Sequence, residues 1–246
     1  MSQLIIRDVG KRFGQNEVIK NLNLTVQKEE FVSILGPSGS GKSTLFNLIG
    51  GLLSPDSGEI MLDQSVINGK RGSISYMPQT PSLFPWRTIL QNVLLGQELQ
   101  GEKDIQKAKE MIQYAGLAHY ENAFPNELSG GMKQRAAFIR ALLSPQSVIC
   151  LDEPFSALDE LTRLEMQKWL LTIWEEYRRT VIFVTHNIEE ALFLSDRIFV
   201  LSNKPARIVA EFKVPFPRPR DENLPLQEQF LECKREIHYT LRGLRE

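Results

Sequence analysis

Short apolar runs alternate along the chain with segments of helical period. Leu4, Ile5, Ile6 and Val9 predict a first strand over 4–9, with a turn over 10–14. Residues 21–26 alternate polar and apolar, as a half-buried antiparallel strand does. Residues 31–35 form a run with the length and content of a buried strand, and 44–49 continue as an apolar-rich helix closed by Gly50 and Gly51. Residues 55–58 predict a turn, 59–63 a strand, and 73–77 another strand that ends at Pro78 and Gln79. From Leu83 to Leu128 the pattern turns helical: 88–95 and 104–115 read as helices, the second capped by Asp104. A third helix runs from the 128–135 segment through Leu143. Strands then alternate with helices: strand 147–151, amphipathic helix 161–177, strand 181–185, helix 188–194, strand 197–201. That alternation predicts an α/β fold, a parallel sheet covered by helices, with a helical insertion between β-rich flanks.

Pro215, Pro217 and Pro219 block regular structure near Arg218 and Arg220. Beyond them Phe230, Cys233, Ile237, Leu241 and Leu244 recur at helical spacing, a stripe that suits either a partner or the chain's own domain.

Composition narrows the class. Apolar residues make up 42% of 246, enough for a real core, and a net charge of −1 gives no bulk attraction to nucleic acid, so none is expected as a partner. No stretch approaches the ~18–20 apolar residues of a membrane span. The first residues lack the basic and long apolar regions of a signal peptide, so a cytosolic protein is expected, one that works at a membrane only by docking onto something embedded there. Cys150 and Cys233, the two cysteines, are expected as free thiols.

Chemistry concentrates at strand ends. Gly36-Pro37-Ser38-Gly39-Ser40-Gly41-Lys42-Ser43-Thr44 fits G-x-x-x-x-G-K-[ST], the P-loop, with the expected strand before and helix after. Its glycines let backbone N–H groups turn toward an anion, and the helix N-terminus adds a favourable dipole. Lys42 can reach outer phosphates, and the Ser43 hydroxyl can ligate Mg2+. Asp152 and Glu153 end the apolar strand 147–151. A carboxylate there suits a metal held through a water, which assigns Asp152 to Mg2+ and leaves Glu153 as base or water-positioner. Adjacent carboxylates on a strand point to opposite faces, so they share a site only where the strand is ending. Gln79 at its strand end can ligate Mg2+ and sense a γ-phosphate. His186, after strand 181–185, is either structural or a γ-phosphate contact, since strand ends of an open α/β sheet form its ligand crevice. Ser129-Gly130-Gly131 opens a helix as a second anion cradle, one that can serve another copy of the chain.

Taken in order, these segments resemble the ATP-binding-cassette (ABC) ATPases over nearly the whole chain. Residues 36–43 are similar to the Walker A motif, Gln79 to the Q-loop glutamine, and Leu128-Ser129-Gly130-Gly131 to the signature motif. Residues 148–153 resemble Walker B with its catalytic glutamate, Ser156-Ala157-Leu158-Asp159 the D-loop, and His186 the switch histidine. The resemblance implies a nucleotide-binding core over 1–82 and 136–213, with a P-loop half and an N-terminal antiparallel β subdomain. It also implies a helical subdomain over 83–135 and a C-terminal extension over 214–246. ATP would lie between the P-loop of one subunit and the Ser129 segment of another in a head-to-tail dimer. The helical insertion would dock an integral membrane permease near Gln79, at the cytoplasmic face of the membrane, with a solute-binding protein engaged indirectly. Phe13 falls where the family stacks an aromatic on adenine; otherwise it is a core aromatic. Met132 replaces the usual Gln and Phe13 the usual Tyr, neither of which is expected to abolish hydrolysis.

The 83–88 stretch with Pro85 and Trp86, Met132, and Arg218-Pro219-Arg220 resemble the nitrate/sulfonate/taurine importer group, which also takes thiamine-precursor compounds. Pro85-Trp86 is otherwise a buried turn. Among rivals, a GTPase would want an Asn-Lys-x-Asp guanine reader, whereas Asn203-Lys204-Pro205-Ala206 lacks the Asp. A P-loop kinase would not need Ser129-Gly130-Gly131. Non-transport cassette ATPases of translation or DNA repair, and exporter subunits, are the remaining alternatives.

Overall fold

Two long strands open the chain. In the computed structural model, which describes residues 2–156 and 158–244, β1 (Ser2–Phe13) and β2 (Asn16–Gln27) pair antiparallel with Phe13 opposite Asn16 and Ile6 opposite Leu24. The alternation predicted for 21–26 holds: Leu22, Leu24 and Val26 are buried, Asn21 and Asn23 exposed. The predicted turn over 10–14 is corrected. The strand continues through Phe13, and the reversal is confined to Gly14 and Gln15. The register shifts between Ile6 and Val9, where Asp8 has a φ of 49° and exchanges hydrogen bonds with Asn23. Such a bulge twists a strand without ending it. Gly10 answers a close approach: a Cβ there would meet Ser57 Oγ at 2.5 Å.

β3 (Phe31–Leu35) and α1 (Lys42–Ile49) follow as expected. β4 (Ser57–Leu62) pairs antiparallel with β1 on the side away from β2, and the short β5 (Ser65–Val66) adds to β4. The first sheet thus runs β2-β1-β4-β5.

β6 (Ser75–Met77) leads into the helical stretch of α2 (Ile89–Val93), α3 (Leu95–Glu98), α4 (Ile105–Tyr114) and α5 (Gly130–Leu143). The helix predicted over 88–95 starts with a Thr88–Gln91 capping box and gives way to α3 at Leu94. Asp104 caps α4 as predicted, accepting from Lys107 N at 2.9 Å. β7 (Val148–Asp152) is buried throughout and pairs in parallel with β6, and α6 (Glu160–Tyr177) follows. Ala157 lies outside the described residues.

β8 (Thr180–Val184), α7 (Ile188–Leu194), β9 (Arg197–Leu201), β10 (Ile208–Lys213) and α8 (Glu228–Gly243) complete the chain. β3 lies between β8 and β9, parallel to both, and β10 is antiparallel to β9. All five β3 residues are buried, and the Phe31 ring packs at 5.9 Å from that of Phe183.

By their contacts the described residues form two units, one up to Ile74 and again from Tyr177, the other Ser75–Glu176. The helical segment read at 83–135 falls inside the second, which also holds β6, β7 and most of α6.

The proline-rich tail straps α7. The Arg220 guanidinium, 8% exposed, donates to the carbonyls of Leu192, Phe193 and Phe216, and Arg218 donates to Leu194 O and pairs with Asp196. The carbonyls of Leu192, Phe193 and Leu194 are ones that the end of α7 leaves without intrahelical partners. α8 then buries Phe230 and Ile237 against its own unit, with the Phe230 ring 5.6 Å from Phe216. Of the two alternatives for this stripe, Phe230 and Ile237 therefore pack at home, while Cys233, Leu241 and Leu244 are half-buried. Arg220→Met should cost more than about 2 kcal/mol by leaving buried carbonyls unpaired, and Arg220→Lys should recover little, because one ammonium cannot span the fork. Denaturant unfolding of both variants checks this.

Candidate functional site

The candidate residues divide between the two units. In the first, the P-loop joins β3 to α1. Ile34 lies opposite Val184, and Thr185 N–H donates to Ile34 O at 3.4 Å, so the loops after β3 and β8 leave the same edge of the sheet. That edge is where open α/β sheets bind ligands, and it carries Gly36 through Thr44 together with His186. Gly39 and Gly41 have φ of 78° and 108°, and a Cβ on Gly41 would also meet Val18 Cγ1 at 3.2 Å. Lys42 Nζ donates to Gly36 O at 2.9 Å and Pro37 O at 2.8 Å. The Ser40 hydroxyl is buried, with no hydrogen-bond partner among the described residues. An orphaned donor inside a glycine-bent loop at a helix N-terminus suits an anion.

His186 is exposed on a fixed backbone. Before it, the Thr185 hydroxyl donates to the buried Glu190 carboxylate and accepts from Asn187 N at 3.0 Å. After it, Asn187 caps α7 by accepting from Glu189 N and Glu190 N. Phe13 is 47% exposed, beneath the Lys11 ammonium 5.6 Å from its ring centroid, which removes the core-aromatic alternative.

In the second unit the two carboxylates at the end of β7 diverge. Asp152 is the last strand residue, and Glu153 takes a φ of 45°. Asp152 is 7% exposed and accepts from the Tyr76 phenol at 3.2 Å, whereas Glu153 accepts from the Gln79 amide at 3.3 Å. Gln79 Nε2 also lies 3.3 Å from Ser156 Oγ, which in turn donates to Glu153 O. Burial, then the neighbouring Asp152 charge, pushes the Tyr76 phenol well above its ordinary pKa, so it stays a donor. Burial likewise raises the Cys150 thiol. Both cysteines are free, as expected.

Ser129 caps α5, its Oγ accepting from Met132 N at 3.3 Å. Met132 therefore still serves the cap through its backbone. A Cβ on Gly130 would meet nothing within 4 Å, so the first turn of α5 is open to an approaching anion. Pro85 and Trp86 do not form a buried turn: Trp86 is 70% exposed, its ring 5.2 Å from that of Phe84. The fully buried Asn92 holds that loop, accepting from Phe84 N and donating to the carbonyls of Phe84, Arg87 and Thr88.

Three supporting residues escaped the sequence reading. Tyr76 sits in a strand legible only as the lead-in to Gln79. Gln134 reaches Pro154 O from inside α5. Arg140 donates to Pro81 O at 2.9 Å and Ser82 O at 2.8 Å, holding the loop after Gln79 in which Ser82 has a φ of 46°. A polar side chain on an otherwise apolar face was the available signal in each case.

The ABC transporter family model matches residues 19–156. The formylaminopyrimidine import ATP-binding protein ThiZ of Halalkalibacterium halodurans is 45% identical over 234 residues, covering 93% of this chain and 91% of that protein. The aliphatic sulfonates import ATP-binding protein SsuB of Bacillus cereus is 41% identical over 238 residues, covering 94% and 93%. Among solved structures, a dimeric post-hydrolysis state of the ATP-binding cassette MJ0796 bound to ADP and Pi aligns with a TM-score of 0.75 and 33% identity, covering 87% of this chain and all of that one. The chain belongs to the ABC transporter family and has the ABC ATPase fold, as its motifs implied.

Gly41→Ala puts a Cβ into left-handed backbone against Val18. A strain of about 1–2 kcal/mol should weaken ATP binding about 5- to 30-fold with the fold intact, measured by titration with a fluorescent ATP analogue.

Proposed function

We propose that this chain is the ATP-hydrolysing subunit of an importer, acting as a head-to-tail pair on the cytoplasmic face of a separate membrane permease. The observation that carries the hydrolytic reading is the divergence at the end of β7: one carboxylate is buried against a phenol, its neighbour turned onto the Gln79 amide. One fits a metal and the other a water.

In this reading the exposed Phe13 face takes adenine, a stack of about 0.5–1.5 kcal/mol. The N–H groups of residues 36–44 take the phosphates, and Lys42 turns its ammonium from loop carbonyls to the outer phosphates. Ser43, Gln79 and, through a water, Asp152 would hold Mg2+, an ion their hard oxygens fit and one that is usually bound by one or two protein groups together with phosphates and water. Among the described residues no group of three His, Cys, Asp or Glu side chains is placed to hold a metal unaided. Bound Mg2+ supplies positive charge against the phosphoryl oxygens as they gain charge in the transition state. Glu153 orients the attacking water and accepts its proton, and His186 donates toward the γ-phosphate. Ser129, Gly130 and Gly131 of the partner subunit close the site with an α5 N-terminus.

Among the described residues no helix is long and apolar enough to cross a membrane, and the exposed Phe84–Trp86 pair on its pinned loop suits a permease contact. The import names of the relatives support uptake of a small sulfonate-like or pyrimidine-like solute, delivered by a solute-binding protein.

Glu153→Gln should bind ATP but lose about 100-fold or more of its turnover, in the range of a lost general base; ATPase and nucleotide-binding assays on one preparation check this, and full activity removes Glu153 from the role. Ser129→Arg should leave ATP binding to the monomer intact and stop closure of the pair. In purified permease complex its hydrolysis should fall to background, and unchanged hydrolysis argues against a shared site.

A further inference from the structure

We infer that Tyr76 is a positioning residue for the metal-binding carboxylate, holding Asp152 in the orientation that receives Mg2+. The inference rests on the reading of Asp152 as the metal carboxylate.

The strand register produces the contact. β6 and β7 are parallel, with Tyr76 opposite Cys150 and Met77 opposite Leu151. Cys150 and Asp152 are two residues apart on one strand, so their side chains share a face, and Tyr76 stands on that face one strand over. A phenylalanine in its place would fill the same space. The hydroxyl is the part that extends along the strand to Asp152 Oδ2, at 3.2 Å.

A carboxylate is free about its last torsion in a way that a saturated side chain is not, because a terminal sp3–sp2 rotation has a broad profile. Fixing one oxygen fixes the plane in which the other lies. Asp152 is buried, so a bond that selects its plane is not undone by competing water.

The same short segment also holds the neighbouring carboxylate. Three residues after Tyr76, the Gln79 amide donates to Glu153. The segment from Tyr76 to Gln79 thus places a phenol on one carboxylate and an amide on the next, and keeps them apart. Gln79 was legible in the sequence as a strand-end amide, but Tyr76 does its work from within the strand.

The test uses the full-length protein and two readouts: the affinity of a fluorescent ATP analogue in EDTA and in Mg2+, and the Mg2+ concentration for half-maximal hydrolysis in the permease complex. Tyr76→Phe should match the unsubstituted protein in EDTA, which shows the nucleotide pocket intact. It should lose about tenfold of the affinity that Mg2+ adds, and need about tenfold more Mg2+ for hydrolysis, as happens when a group that orients a metal's ligand is removed. Asp152→Asn serves as the reference and should lose the Mg2+-dependent gain altogether. If Asp152→Asn loses the gain and Tyr76→Phe keeps it, the positioning role is overturned while the reading of Asp152 stands. If Tyr76→Phe weakens binding equally with and without Mg2+, the tyrosine is structural and the inference fails. If Asp152→Asn itself keeps the gain, the assignment of the metal carboxylate fails and takes this inference with it.

Discussion

The left-handed residue at the end of β7 is the constraint on which the second unit's chemistry depends. In a continuing strand Asp152 and Glu153 would face opposite sides of the sheet. Glu153 instead takes a φ of 45°, in a region that costs a non-glycine residue about 1–3 kcal/mol. The surroundings over-determine it. Ser156 returns both its N–H and its hydroxyl to Glu153 O, and Gln134 reaches from α5 to the next carbonyl, that of Pro154. The strain is offset by bonds that leave the turn little freedom, and the result is two carboxylates with separate partners.

The same division of labour recurs in the first unit. β3 and the core around it are buried, while the groups that can meet a ligand stand at strand ends on stiffened backbone. His186 is exposed, but the residues on either side of it are tied into α7. The far end of α7 is held by Arg218 and Arg220, whose guanidinium groups satisfy its last carbonyls. A seven-residue helix has little intrinsic stability. Fixed at both ends, it keeps the loop before it in one place.

What could be read from the sequence was what local chemistry dictates. Glycine at Gly39 and Gly41, a hydroxyl at Ser129 before two glycines, and apolar runs ending in Asp152 or His186 each announce their conformation through a few adjacent residues. The fold class followed from the alternation of strands and helices. The misses share a cause: they depend on a neighbour distant in sequence. Gly10 reads as a turn until Ser57 is seen to need its missing Cβ. β10 pairs along β9 with only alternate residues half buried, so its pattern carries little signal. Tyr76, Gln134 and Arg140 act across β6–β7 or from α5 onto loops, and nothing in a linear pattern marks a polar side chain as the partner of a residue far along the chain.

The features that suggested an importer subgroup can now be sorted by what they touch. Arg218 and Arg220 point into their own unit and bond to main-chain carbonyls, so that part of the resemblance reflects how α7 is held. Met132 contributes a backbone N–H to the Ser129 cap, which any residue but proline can do. Trp86 differs from both. It is a large apolar side chain left 70% exposed on a loop that Asn92 fixes through its main chain. What sets it apart from other exposed apolar side chains such as Leu99 and Leu161 is that it stands beside a second aromatic, Phe84, on a pinned loop. Of these features Trp86 is the one whose side chain stays free for the permease contact proposed above, whereas the arginines and Met132 are explained by the chain itself.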